Sequence, residues 1–248
     1  MIAIVVIGAV IAAVLLLAAL AGVWTLYRPA DWILSRVSTK YPGIVFRVDT
    51  NERAIALTID DAPNPEVTPG LLEVLRANDA KATFFIIGEY AESHAELLDS
   101  IRTNGHELAN HLFTDRMSAQ LSSKEFTREL LRTDSLIQPL KPPKWCRPGG
   151  ALLTPRIIRI MSKYGYTPVL GTAYPIDLFA GSDMTVTQFL GNIRPGAILV
   201  LHDGGPGRQS NIQVLSTLLP RVREMGYRLV TLTELTRLGK PVVEASAR

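Results

Sequence analysis

From Ala54 onward the chain alternates short apolar, β-branched or aromatic runs with longer segments in which apolar residues recur every three or four positions. The short runs are "AIALTID" (54 to 60), "ATFFIIG" (82 to 88), "HELANH" (106 to 111), "WCRPG" (145 to 149), "TPVLGT" (167 to 172), "AILVLHD" (197 to 203) and "YRLVTLTEL" (227 to 235). These read as strands. The segments between them read as helices: "GLLEVLRAND", "AESHAELLDSIRTNG", "SSKEFTRELLRTDSLI", "TPRIIRIMSKYG" and "NIQVLSTLLPRVREMG". Gly105, Gly165 and Gly226 follow three of them, where a left-handed residue usually ends a helix. Strand and helix alternating about seven times, with no repeated unit, predicts an α/β fold with a parallel sheet covered on both faces, closed as a barrel rather than left open. Ahead of this body, "YPGIVFRV" reads as a short strand in a lead-in segment.

The first residues follow another pattern. Ile2 to Val23 carries no charged or strongly polar side chain, and as a helix it would extend roughly 33 Å, enough to cross a bilayer's hydrocarbon core. Trp24 and Tyr27 follow where interfacial aromatics sit. A cleaved signal peptide would have a basic start and a shorter apolar run, so an uncleaved single-pass transmembrane anchor is expected. Arg28, Arg36 and Lys40 all follow the span, which by charge alone would hold the body in the cytoplasm; with so short an opposite flank that rule has little force, and the expected side is extracellular or secretory. The organisation is then an anchor over 1–27, a connector and lead-in over 28–50, a catalytic barrel over 51–240 and a tail over 241–248. A net charge of +3 with no Lys/Arg run excludes a nucleic-acid patch, and the lone Cys146 excludes an internal disulfide.

Reactive residues of such barrels gather at the C-terminal strand ends. Asp60 and Asp61 end the first strand, His111 the third, Arg147 lies near the end of the fourth, and His202 with Asp203 ends the sixth. Each has a plain structural alternative. Adjacent strand-terminal Asp residues cap turns more often than they catalyse. His106 reads as a hydrogen-bonded core histidine, His94 as a solvated helix face, and "HDGGPG" (202 to 207) as a flexible loop, because it lacks the phosphate-loop ending. His111 and Asp115 are four residues apart, a spacing that metal sites use. Together these residues suit hydrolysis: a divalent cation on Asp61, His111 and Asp115, with Asp60 as base held ionised by Arg147 and His202 as acid.

In this order the motifs resemble those of the polysaccharide deacetylases, carbohydrate esterase family four, over about residues 45 to 237. "TIDD" is similar to the family's T-F-D-D, implying Asp60 as general base and Asp61 as a metal ligand. "HLFTD" is similar to H-S/T-x-x-H/D, implying His111 and Asp115 as the other ligands. "RPGG" is similar to R-P-P-Y-G, implying that Arg147 orients Asp60 and that the backbone at Gly149 and Gly150 forms the oxyanion hole. "VLHD" is similar to L-x-H, implying His202 as general acid, and "YPIDLFA" retains Asp177 as a residue to orient it but lacks the family's Trp. The resemblance implies a distorted seven-stranded (β/α) barrel that removes N-acetyl groups from N-acetylglucosamine-containing glycans. Asp115 in place of a second His makes the ligand set harder, so cobalt, manganese or iron join zinc as candidates. A metal-independent amide or imide hydrolase and a non-catalytic carbohydrate-binding protein are the alternatives.

Overall fold

The computed structural model describes residues 43–138, 143–174, 181–205 and 207–242. The expected anchor, most of the connector, Asp177 and the last six residues lie outside them. Among the described residues no helix is long and apolar enough to cross a membrane.

Seven strands form one all-parallel sheet: β2 (Ala54–Ala62), β3 (Ala82–Ile86), β4 (Glu107–Asn110), β5 (Lys144–Cys146), β6 (Tyr166–Pro168), β7 (Ile198–His202) and β8 (Arg228–Val230). The order is β6-β5-β4-β3-β2-β7, and β8 pairs with the start of β2. Ala56 faces Ile198 on one side and Val230 on the other, whereas Leu57 faces Leu199 and Ala82, so β8 and β3 share one edge of β2 in succession. Beyond β6 the chain crosses to the opposite edge, where Ala173 bridges to Leu199, and Val45 bridges to Val169. The sheet therefore curls into half a barrel. A small antiparallel pair, β1 (Val48–Asp49) with β9 (Lys240–Pro241), lies beside it.

Alternation along β2 explains the site. Ile55, Leu57 and Ile59 pack outward with Leu71, Leu75, Leu215 and Leu218 of the covering helices. Ala54 and Ala56 face inward among Phe85, Trp145 and Ile198. The same period of two brings Thr58 and Asp60 to the inner face. Small residues fill the narrow floor of the half-barrel and polar ones reach its rim.

The helices are α1 (Thr68–Ala77), α2 (Gly88–Ser93), α3 (Ala95–Thr103), α4 (Ser123–Ile137), α5 (Pro155–Lys163), α6 (Ser182–Leu190), α7 (Ser210–Glu224) and α8 (Leu232–Arg237). The expected glycine stops hold, with φ of +76° at Gly105, +75° at Gly165 and +78° at Gly226. Three readings need correction. "AESHAELL" is not one helix: it breaks at His94, whose φ of −139° separates α2 from α3. "YRLVTLTEL" is strand only to Val230; Thr231 then caps α8, its hydroxyl accepting from the Glu234 amide at 3.2 Å. Helix α6 had no counterpart among the expected segments.

His106 is the core histidine expected. It is buried, its Nδ1 accepts from the Ala82 amide at 3.2 Å, and its ring meets Phe84 edge-on at 5.4 Å. Burial first and the Lys81 charge second push its pKa down to about 4. Unfolded chains take up that proton near pH 6.5. Between those values the unfolded state binds more protons, so stability falls as pH falls. The expected loss from this one group between pH 7 and pH 4 is up to about 3 kcal/mol. Urea titrations across that range should show a shallower decline for His106→Gln, which retains an acceptor for Ala82; identical slopes for both proteins would refute the assignment.

Candidate active site

Arg147 is the largest fully buried side chain and crosses the half-barrel interior. Its Nη1 donates to Asp60 Oδ1 at 2.5 Å and to Thr58 Oγ1 at 2.9 Å, and its Nε donates to the Val169 carbonyl at 3.1 Å. The guanidinium also lies over the Phe85 ring, 4.3 Å from its centre. The Thr58 hydroxyl in turn donates to the Leu199 carbonyl at 2.8 Å. Asp60, 4% exposed, is thus a buried carboxylate compensated by a buried cation that three strands and the segment after β6 hold in place.

Strict alternation would send Asp61 to the opposite face from Asp60. It does not go there. Asp61 adopts a left-handed φ of +63°, the register with β3 shifts between Ile59 and Ala62, and the carboxylate returns to the rim. Aspartate tolerates that backbone better than most residues. Its Oδ1 lies 3.2 Å from His111 Nε2, while His111 Nδ1 is in hydrogen-bonding contact with the Arg147 carbonyl. A carbonyl can only accept, so Nδ1 carries the proton. Nε2 then faces a carboxylate oxygen, an arrangement that calls for a shared proton or a cation between them. His111 burial alone would lower its pKa, but the bond to Asp61 and the charges of Asp60 and Asp61 outweigh it and raise it. For Asp61 burial raises the pKa, and His111, with His202 and Arg208 behind it, brings it below the usual value.

This donor pair fits a divalent cation, with an imidazole oriented through its other nitrogen as metal-bound histidines are. Among the described residues, though, no three His, Cys, Asp or Glu side chains converge as a ready metal cage. Asp115, the expected third ligand, is exposed; its pKa is raised by partial burial first and by the Asp61 charge next. Its backbone is well anchored: the Asp115 amide donates to Glu89 at 3.2 Å, and buried Glu129 takes bonds from Thr114 Oγ1 at 2.8 Å and Arg116 at 2.7 Å.

His202 ends β7 in direct register with Asp60, on the same inner face. Asp203, which follows it, donates its amide to the Asp60 carbonyl at 2.8 Å; burial raises its carboxyl pKa to about 7, and Thr68 bonds to it. The first glycine of the loop after it is closely packed. A Cβ on Gly204 would come within 2.6 Å of the Asp61 Cβ, and buried Arg208 donates to the Gly204 carbonyl at 3.0 Å. Sequence reasoning missed Arg208, since its reach to Asp61 depends on how that loop folds back. On the other wall Gly149 packs so closely on the Arg116 carbonyl that a Cβ would approach to 2.5 Å, and Gly150 holds φ +73°. The structure thus brings Asp60, Asp61, His111, Arg147 and His202 to one rim, flanked by Asp115 and the Gly149–Gly150 turn.

The family model described as polysaccharide deacetylase matches residues 47–169. A peptidoglycan-N-acetylglucosamine deacetylase of Bacillus cereus is 32% identical over 198 residues, spanning 78% of this chain and 93% of that protein. A chitooligosaccharide deacetylase of Bradyrhizobium sp. (strain ANU 289) is 33% identical over 198 residues, spanning 74% and 90%. Among solved structures, a peptidoglycan N-acetylglucosamine deacetylase bound to an N-oxidanyl-benzamide superposes with a TM-score of 0.75 at 26% identity, covering 82% of this chain and 96% of its own. Two more solved structures bear on what the fold can do. A family 4 acetyl xylan esterase from Clostridium thermocellum in complex with a cobalt ion gives a TM-score of 0.69 at 26% identity, covering 77% and 96%. A CE4 family pseudoenzyme from Bacillus anthracis gives 0.70 at 27% identity, covering 78% and 69%. With a relative 32% identical along 93% of its length, this chain belongs to the polysaccharide deacetylase family.

Proposed function

We propose that this protein is a divalent-cation-dependent de-N-acetylase of N-acetylglucosamine-containing glycans that releases acetate. The observation that carries the reading is the rim itself: a buried, Arg-paired carboxylate in register with a histidine, beside an Asp–His donor pair. Asp61, His111 and Asp115 would hold the cation, which when bound acidifies water and polarises an amide carbonyl. Asp60, oriented by its bond to Arg147, takes the proton from the attacking water. The backbone at Gly149 and Gly150 offers its N–H groups to the developing oxyanion. His202, on the neighbouring strand, hands a proton to the departing amine nitrogen, and Asp177 would orient it. One imidazole and two carboxylates make zinc, cobalt, manganese and iron the candidates. Relatives named for peptidoglycan and chitooligosaccharide deacetylation support the glycan class. The apolar run Ile2–Val23 supports a single-pass protein with its barrel on the extracellular or secretory side, where such polymers lie.

The test is acetate release from N-acetylglucosamine oligomers by the full chain, before chelation, after it, and after adding each candidate metal. Loss on chelation with return on one metal is expected. Release indifferent to chelation would favour the metal-independent alternative, and none under any metal a binding protein.

Two sets of variants sharpen the roles. Asp60→Asn should keep cation affinity, measured by calorimetric titration, while kcat falls about 10²- to 10⁴-fold, the usual worth of a positioned base. His111→Ala should lose both affinity and turnover. If Asp60→Asn kept full activity, the base would have to be sought elsewhere. Gly204→Ala forces a methyl against Asp61 and should weaken cation affinity about 10- to 100-fold; an affinity equal to wild type would show that Asp61 is not a ligand.

A further inference from the structure

Alternation along β4 sends Ala109 inward among Phe85 and Trp145, and His111 follows it to the same inner face. Leu108 and Asn110 then face the covering helices. For Leu108 that layer is the expected surrounding. For Asn110 it is not: its carboxamide is fully buried beside an apolar cluster that includes Leu112, Leu130, Cys146, Ile157 and Tyr166. A polar amide in such a layer costs stability unless each of its groups is bonded.

Each is bonded. Asn110 Nδ2 donates to the Leu130 carbonyl at 2.9 Å and to the Tyr166 hydroxyl oxygen at 3.1 Å, while Oδ1 accepts from the Leu112 amide at 2.9 Å. The partners fix which amide atom is which, because a carbonyl only accepts and a backbone N–H only donates. Tyr166 gives its own proton to Asp134, and Lys144 holds Asp134 at 3.0 Å. The Asn110 carbonyl in turn accepts from the Arg147 amide at 3.0 Å. Strands β4, β5 and β6 and helix α4 thus all hold this one residue.

What the carboxamide holds is the residue after His111. Leu112 adopts a left-handed φ of +68°, and of the five described non-glycine residues with positive φ it alone carries a bulky apolar side chain. A leucine keeps that backbone only where its surroundings impose it. A side-chain oxygen of Asn bonded to the amide two residues on is a turn that this residue type favours. The Leu112 carbonyl is fixed as well, accepting from the Gly88 amide at 3.0 Å. The chain therefore turns immediately after His111, whose ring lies between Asp61 and the Arg147 carbonyl, and the same turn begins the path to Asp115. Both members of the donor pair stand at left-handed backbone: Asp61 itself, and the residue that follows His111.

We propose that Asn110 is a positioning residue for the cation site: by holding the Leu112 amide from the outer face of the sheet, it sets the turn that aims His111 Nε2 at Asp61. The inference rests on the cation-dependent reading above. Asn110 touches neither cation nor substrate, so its effect is on where the imidazole points and not on the chemistry itself.

Calorimetric titration of cobalt into the metal-free full chain, paired with urea unfolding of each protein, separates positioning from general stability. Asn110→Ala should bind cobalt about 10- to 100-fold more weakly than wild type. Asn110→Ser, whose hydroxyl can also accept from the amide two residues on, should lose only about threefold and serves if the alanine variant does not fold. Ile157→Ala empties the same apolar layer and should lower stability while leaving cobalt affinity at the wild-type value. Wild-type affinity in Asn110→Ala, or an equal loss in Ile157→Ala, would overturn the proposal. A second measurement needs no metal: in a crystal structure of metal-free Asn110→Ala, Leu112 should leave the left-handed region and His111 should swing away from the Arg147 carbonyl, and an unchanged turn would overturn the assignment. Wild type that takes up no cobalt would overturn the cation reading, and the metal-free structure would still decide the role of Asn110 in the turn.

Discussion

The arrangement depends on one buried ion pair. Asp60 sits inside the half-barrel, where an unpaired carboxylate would be costly, and Arg147, the residue after β5, meets it there with a bond of 2.5 Å. The same guanidinium reaches Thr58 and the Val169 carbonyl and stacks on Phe85. It therefore links β2, β3, β5 and the segment that carries the sheet toward β7. Removing one partner of such a pair typically costs about 3–5 kcal/mol, because the other charge stays buried. Curvature and the site are coupled through this residue: the sheet must curl for Arg147 to span it, and the spanning arginine fixes where the Asp60 carboxylate sits.

Around that pair the rim solves a geometric problem. Consecutive strand residues point to opposite faces, yet Asp60 and Asp61 serve one site. The left-handed turn at Asp61 and the register shift behind it bring the second carboxylate back toward His111. Two glycines allow the neighbouring loops to close on this turn: Gly204 packs on Asp61, and Gly149 packs on the backbone of the segment that carries Asp115. Local strain at Asp61 is sustained because the sheet, the loop after β7 and His111 all hold the same residue.

Much of this was legible in the residue pattern. The apolar runs overlapped all seven strands of the sheet, within two residues at each end for β2, β3, β4 and β7, and ran three to five residues past the ends of β5, β6 and β8. Strand ends placed Asp60, His111 and His202 on one rim, because period-two alternation and parallel pairing are set by local sequence. What depends on tertiary contact was less legible. Nothing in "AESHAELL" forbids a continuous helix, yet it breaks at His94, and a residue read as solvated becomes part of a cavity wall. Arg208 gave no signal either, since its proximity to Asp61 arises from a loop that folds back through glycines. The start of α8 is a different case: Thr231 and Glu234 form a readable T-x-x-E cap that the preceding strand signal overrode. Asp115 stands between these cases: its position in the chain was legible, and its exposed side chain does not converge with Asp61 and His111.

The central claim is that Asp61, His111 and Asp115 share one cation next to the Arg147–Asp60 pair. Anomalous diffraction from crystals of the protein soaked in cobalt tests it most directly. The account predicts one strong peak within bonding distance of an Asp61 oxygen and His111 Nε2, with the Asp115 carboxylate drawn in as third ligand. A peak elsewhere, or an Asp61–His111 contact that stays closed with no metal in it at saturating cobalt, would contradict it.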